Sequence, residues 1–325
     1  MSFVLTTVTF QEAQILAILG GLGLVFPTSC LIFHIVYIIT VDGASKDGQS
    51  FTTRLLQTFN LNLLVYSLSM MGLYVSFLVQ VHALENPNLP WILQAVNDLL
   101  VAMAECSFIH YSAARGLKIV KRLYPSVSKV LERFLRVMPF IVFAPVLPAT
   151  IDAILLLWPE RLSDTVPIIS IVEQVLSCIA LLATFVFDSI LMASYSKFIW
   201  TMQVDLKGDA DPSFPFVARF GCCSGVSIFL GLSLYVVAIA AGLTGFWFQL
   251  VMWLTYTIST CVLVFLIWMK VAIRGVKLRS SMLTGNSYPS KRVGASAVDK
   301  STGTPSTHAV KTSAINQSVK NESIC

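Results

Sequence analysis

Seven long apolar segments, separated by short polar stretches, make up most of this chain. Crossing a hydrocarbon core of about 30 Å takes about 20 apolar residues in an α-helix, and each of the seven segments is long enough. The pattern predicts an all-α polytopic membrane protein built as a bundle of seven transmembrane helices. The segments are residues 13–41, 55–81, 91–120, 134–158, 166–200, 214–243 and 246–273.

The connection between the sixth and seventh segments is very short, because only Thr244 and Gly245 clearly separate them. Together these two segments are far too long for one span, and glycine suits a tight connection, so the pattern favours seven spans over six. The fourth segment contains Pro139, Pro145 and Pro148, and this concentration of proline predicts a kink in that helix.

Composition supports the membrane assignment. Hydrophobic residues make up 56% of the chain and charged residues only 12%, with a mean hydropathy of +0.77, whereas a soluble domain carries about 25% charged residues. The chain therefore divides into a short N-terminus (1–12), a membrane domain (13–279) and a Ser/Thr-rich tail (280–325). The tail has too little apolar content to offset the entropy of chain ordering, so we expect it to be disordered.

The positive residues predict the orientation in the lipid bilayer. Of the 22 Lys and Arg residues, all except Arg161 fall on the same side of the predicted spans. Because cytoplasmic loops are enriched in these residues, the N-terminus is predicted to be outside and the C-terminus cytoplasmic. The net charge of +5 thus serves orientation, and no nucleic-acid partner is expected. Two glycosylation sequons, at Asn316 and Asn321, should then stay unmodified.

This layout resembles that of the G-protein-coupled receptor superfamily, over residues 13 to about 280. The chain departs from the rhodopsin-like class at several motifs. The third segment ends in His110-Tyr111-Ser112-Ala113-Ala114-Arg115, without an acidic residue before the arginine, and no Asn-Pro precedes Tyr256 in the seventh. The predicted extracellular loops contain no cysteine. The resemblance implies a plasma-membrane receptor that couples an unknown ligand to a heterotrimeric G protein, and it assigns no site residue.

Positive residues at the cytoplasmic end of the third segment are candidates for contact with a partner: Arg115, Lys118, Lys121 and Arg122. Arg115 is the strongest candidate by position. The alternative is that these residues only set orientation and bind anionic lipid.

Acidic residues inside the spans are the candidate ligand-binding groups, because ionisable side chains are costly in a membrane. By the helical rise, Asp98, Asp152 and Glu173 each lie about 10 Å from the outer end of their helices. Glu105 lies two turns deeper on the same face of the helix as Asp98. These four residues predict an outer cavity that binds an amine, a peptide cation or a metal ion, or that senses pH by sharing protons. The alternative is simple hydrogen bonding between helices.

Other functions receive less support from the sequence. An ion- or proton-coupled transporter or channel is the main alternative, because buried acids also mark ion pathways. No enzymatic activity and no cofactor are expected, since neither His-Glu-x-x-His nor Gly-x-Ser-x-Gly occurs. Asp188, His34 and His110 fall in the inner third, with Asn60 and Asn62. We expect them to form a polar network between packed helices, without a metal site.

Overall fold

Seven spans are present in the computed structural model, which describes residues 8–42, 53, 55–82, 89–156, 166–205 and 213–285. All regular secondary structure in these ranges is helical, and seven helical stretches are long and apolar enough to cross a membrane. The predicted seven-span, all-α layout of an integral membrane protein is confirmed. The helices are α1 (Phe10–Tyr37), α2 (Thr58–His82), α3 (Leu89–Leu123), α4 (Pro125–Phe143), α5 (Val146–Leu156), α6 (Val166–Asp205), α7 (Ser213–Ala240) and α8 (Gly245–Gly285).

The spans define two faces of the bundle. We call the side on which α1 begins the N-terminal face and the opposite side the C-terminal face. Residues 1–7 and most of the tail, including both sequons, lie outside the described residues. A π-helical turn, Ile38–Asp42, follows α1 near the C-terminal face.

The first helix begins three residues before the predicted start because polar side chains cap it. The backbone N–H of Glu12 donates to the Thr9 hydroxyl at 3.4 Å, and the Thr9 N–H donates to the Glu12 carboxylate at 2.7 Å. This capping box satisfies backbone donors that the first turn leaves without helical partners.

The connection between the third and fourth spans is helical rather than a loop. Helix α3 continues to Leu123, and α4 begins at Pro125, well before the predicted residue 134. Proline suits the first helical position because the N–H that it lacks would have no partner there. The early turns of α4 bury Leu131 and Met138, whereas Arg133 and Arg136 are exposed. Arg133 and Arg136 therefore occupy the polar face of this helix.

The fourth span is broken, as its prolines predict. Helix α4 ends at Phe143 and α5 begins at Val146, with a turn at Ala144 and Pro145 between them. Pro145 cannot donate a backbone hydrogen bond. The remaining bonds around the turn are long: the N–H of Ala144 donates to Ile141 O at 3.3 Å and that of Leu147 to Ala144 O at 3.3 Å.

Two glycines form the turn between the last two spans. Gly242 has a φ of 62° and Gly245 a φ of 59°, a left-handed conformation that side chains disfavour. Helix α7 therefore stops at Ala240 and α8 starts at Gly245. The predicted separation at Thr244 and Gly245 is confirmed.

Side-chain hydrogen bonds attach α8 to the first three helices. The Tyr66 hydroxyl donates to Ser259 O at 3.0 Å, and the Tyr111 hydroxyl donates to Leu266 O at 3.0 Å. From α8 itself, the Trp253 indole N–H donates to Leu19 O at 2.8 Å. Because these bonds join α8 to three different helices, they fix its register as well as its position.

Candidate functional site

A cavity of about 600 Å³ lies between the helices in the half of the bundle nearer the N-terminal face. It runs from Trp91, near the start of α3, to Phe108 and is lined by residues of α2, α3, α4, α6, α7 and α8 together with Pro145 at the break. This volume is in the range of small-molecule sites. Most of the wall is apolar, so its few polar groups decide what it can hold.

Three of the four predicted acidic residues line this cavity. Asp98 and Glu105 reach it from α3 and Glu173 from α6. Glu173 is buried, and Asp98 and Glu105 are partly exposed. Asp152 is also buried, on α5, and lies near enough to Glu173 to interact with it electrostatically, but it is not among the lining residues.

A glutamine that the sequence analysis did not select joins two of the acids. The Gln94 side-chain amide donates to Glu173 Oε1 at 2.8 Å and to Asp98 Oδ1 at 3.3 Å. Asp98 and Glu173 are themselves within hydrogen-bonding range of each other. Gln94 precedes Asp98 by four residues, and side chains at this spacing meet on one face of a helix. The four-residue spacing to Asp98 was therefore the feature of the sequence from which Gln94 could have been predicted as a site residue.

Two buried oxygen atoms at the cavity have no hydrogen-bond partner among the described residues. One is Oδ2 of Asp98 and the other is Oδ1 of Asn97. Asn97 is one of the lining residues, although it is only 8% exposed. A buried oxygen atom without a donor costs free energy. Neither atom is open to the cavity in this conformation, so a side chain would have to rotate before a ligand could donate to it.

The part of the cavity wall that the structure describes is acidic. None of the described residues that line it is Lys, Arg or His. Deeper in the cavity, the Thr184 hydroxyl lies 3.5 Å from Glu105 Oε2, at the limit of a hydrogen bond. Buried charges are normally paired, so the residues present suit a cation with N–H donors.

Neutralising one acid is expected to stabilise the protein when no ligand is bound. In Asp98→Asn, the new amide can donate to Glu173, whereas two adjacent carboxyls must either repel or retain a proton. We expect the free energy of unfolding to rise by about 1 kcal/mol, measured by thermal unfolding in detergent. Glu132→Gln, on α4 outside the cavity, is the matched control. A fall in stability for Asp98→Asn alone would contradict this account.

A packed apolar layer separates the cavity from the C-terminal face. One turn below the lining residues, Tyr111, Met138 and Phe187 are all at most 1% exposed. The Phe134 and Phe187 rings stack at 6.0 Å between centroids. Among the described residues, the cavity lining does not continue past this layer. Within the part of the chain that the structure describes, this layer closes the cavity toward the C-terminal face in this conformation.

Arg115, the strongest partner candidate, is buried beyond this layer. Its guanidinium Nη2 lies 3.9 Å from Asp188 Oδ1, and the two side chains are 4% and 1% exposed. Nη1 lies 3.2 Å from the Met269 sulfur on α8. Arg115 is therefore not at the surface in this conformation. Lys121 is exposed, and the side chains of Lys118 and Arg122 lie outside the described residues.

Among the described residues, the polar groups predicted for the inner third include two clusters. Asp188 belongs to the Arg115 pair. His34 and Asn60 belong to a second cluster, where the Lys270 ammonium donates to Asn60 Oδ1 and lies 5.1 Å from the centre of the Tyr37 ring. This second cluster joins α1, α2 and α8. His110 bonds within its own helix, to Cys106 O at 2.8 Å.

No protein-family model, characterised protein or solved structure matches the chain. Within the described residues, no three His, Cys, Asp or Glu side chains are grouped so as to hold a metal ion. The acidic cavity and the two clusters are therefore the candidate functional features of the bundle.

Proposed function

We propose that this protein is a seven-helix receptor of the G-protein-coupled type, in which Asp98, Glu105 and Glu173 recognise a cationic ligand. The observation that carries the proposal is the acidic cavity, which lies in one half of the bundle and is closed from the other half by a packed layer. Such a cavity can bind a molecule without transporting it across the membrane. Binding then has to act through helix movement.

Helix α3 connects the cavity to the buried ion pair. It carries Asp98 and Glu105 at the cavity and Arg115 beyond the apolar layer. Arg115 packs between α6, which supplies Asp188, and α8, which supplies Met269. A ligand that draws α3 and α6 together at Asp98 and Glu173 would shift both partners of this pair. Rigid helices transmit such displacements over their whole length.

The partner surface in this proposal forms at the C-terminal face, which the positive residues predict to be cytoplasmic. Lys121 is already exposed there. Arg115 becomes available only when α6 or α8 moves away from α3, which would make its exposure dependent on ligand. The proposed partner is a heterotrimeric G protein, and the proposed location is the plasma membrane.

The orientation gives a direct prediction. An epitope tag added before Met1 is expected to bind antibody on intact cells, whereas a tag added after Cys325 is expected to bind only after permeabilisation. The physical reason is the concentration of Lys and Arg at the C-terminal face. Asn316 and Asn321 should remain without glycans. The reverse labelling pattern would invert the bundle and move the cavity to the cytoplasmic side.

One observation favours a transporter as the second candidate. Pro145, at the break between α4 and α5, lines the cavity itself. Broken helices at the binding site are typical of secondary transporters, because a non-helical backbone there exposes carbonyl groups to an ion. The acids would then bind and release a proton or a cation as α4 and α5 move relative to each other about the break.

The deciding experiment measures G-protein activation and membrane current in the same cells, at neutral and mildly acidic external pH. The receptor proposal expects a basal or ligand-dependent G-protein signal that Asp98→Asn and Glu105→Gln change, and that Glu132→Gln does not. Gly231→Leu adds a second test without altering charge, because Gly231 lines the cavity and a Cβ added there makes only ordinary contacts, at 3.9 Å. Filling this space should block a ligand response.

The transporter predicts the opposite outcome. No G-protein signal would appear under any condition, and the same acidic substitutions would change a proton or cation current. That result would replace the receptor proposal.

A further inference from the structure

A second depression lies on the outer surface of the bundle, between α6 and α7. It has a volume of about 410 Å³ and is bordered mainly by aliphatic side chains of α6. Ile171, Val175 and Leu182 are each more than half exposed although they belong to a membrane-spanning segment. Exposed aliphatic side chains on such a segment face lipid hydrocarbon. We call this depression the α6–α7 groove.

The α6–α7 groove and the acidic cavity share part of their walls. Gln174 and Ile239 line both of them. Glu173, the neighbour of Gln174 on α6, lines the cavity. One aliphatic side chain of α7 and one amide of α6 therefore stand between the hydrocarbon of the bilayer and the acids.

The chemistry changes along this path in a defined order. Hydrocarbon contacts come first, at Ile171 and Val175, followed by the Gln174 amide and then by Glu173 and Asp98. A molecule that matches this order has a long apolar chain behind a positively charged head. Asn97 also lines the cavity, and its side-chain oxygen becomes a further acceptor for such a head if the side chain rotates. Short hydrophilic cations would leave the groove unused.

We propose that the cavity binds an amphiphilic cation, with a primary amine head and one hydrocarbon chain, which enters from the bilayer between α6 and α7. The amine occupies the space next to Asp98 and Glu173, and the chain lies in the α6–α7 groove. This inference rests on the proposed function because it uses the same cavity. It adds the chemical class of the ligand and its route of entry from the bilayer. A buried ammonium group needs paired acceptors, and the cavity supplies them.

The first test measures binding to the full-length chain in phosphatidylcholine nanodiscs. The probes are oleylamine, propylamine, which lacks the chain, and oleyl alcohol, which lacks the charge. Oleylamine is expected to bind about tenfold or more tightly than either of the others, because only it uses both the groove and the acids. The double substitution Asp98→Asn with Glu173→Gln should weaken oleylamine binding by about 30-fold or more.

The second test concerns the route. Ile239→Trp places a large side chain at the shared wall and is expected to slow oleylamine association by about tenfold, within the range over which association rates vary in one site. Val226→Trp is the matched control, since Val226 lies on the same helix, is 60% exposed and borders neither space. Equal association rates for the two variants would overturn the lateral route.

The outcomes separate this inference from the proposed function. Propylamine binding that equals oleylamine binding, with dependence on Asp98, overturns the amphiphile and leaves a cation-binding receptor. Oleylamine binding without G-protein activation supports the amphiphile and overturns the receptor. Equal binding of oleyl alcohol and oleylamine, unchanged by the acidic substitutions, overturns the inference, as does the failure of every amine to bind.

Discussion

Asp188→Ala is expected to lower the free energy of unfolding by about 3–5 kcal/mol. The Arg115 guanidinium is 4% exposed and lies 3.9 Å from the Asp188 carboxylate. Arginine remains protonated in proteins, so loss of the carboxylate leaves a positive charge in the apolar interior. Unfolding of the purified chain in detergent, by heat or by denaturant, measures the effect.

Removing both charges should restore most of this loss. In Arg115→Met with Asp188→Leu, apolar side chains replace the ion pair, a change that is often neutral or stabilising. The double variant therefore distinguishes an unpaired charge from a general packing defect. Lys121→Ala, on the same helix but exposed, is the control and should change stability by less than about 0.5 kcal/mol. Losses that simply add in the double variant would contradict the pairing.

The same substitution also tests the proposed coupling. If Arg115 is withheld from a cytoplasmic partner by Asp188, the folded fraction of Asp188→Ala should show a raised basal G-protein signal per molecule at the cell surface. A double variant that is stable and silent would show that the arginine itself is needed. A stable double variant with normal signalling would assign the pair to packing alone.

Gly23→Ala is the second large expected effect, with a loss of about 3 kcal/mol, at the upper end of the range for overpacking. An added Cβ at Gly23 would overlap the Tyr74 ring. That ring cannot move aside cheaply. Its hydroxyl lies 3.2 Å from the Thr257 hydroxyl, and it packs edge-on to Tyr256 with 6.1 Å between ring centres.

Gly21→Ala provides the matched control on the same helix. A Cβ at Gly21 has no neighbouring atom within 4 Å, so only the backbone entropy changes. Alanine should then be neutral or stabilising by up to about 1 kcal/mol. Thermal unfolding of the two variants side by side checks the difference. Equal stabilities would mean that α1 does not approach α2 as closely as Gly23 and Tyr74 indicate.

Most of the membrane layout could be predicted from the sequence. Apolar length decides whether a segment can span a bilayer, and this property is local. The kink in the fourth span was predictable for the same reason, since Pro145 lacks a backbone donor wherever it lies. The α3–α4 connection was not. Lys129 and Arg133 lie between the predicted third and fourth segments, but a charged residue tolerates a helix when the opposite face packs on a neighbour.

The candidate site was predictable in part. Depth along a helix follows from the rise per residue, and it placed Asp98 and Glu173 at one level. Rotation about the helix axis decides which side chains face a cavity, and that depends on neighbouring helices. Asp152 shares the level but does not line the cavity. Asn97, which does line it, carries no charge and gave no comparable signal.

The sequence by itself determined the number of spans, the expected orientation and the cost of each buried charge, because these depend on residue type and position along one helix. Only the tertiary structure decided which charges are paired. It placed Asp188 next to Arg115, left Asp98 and Glu173 without a positive residue among the described residues that line the cavity, and placed Gln174 and Ile239 in the walls of both the cavity and the α6–α7 groove. Contacts between helices far apart in the chain depend on packing, which local patterns do not specify.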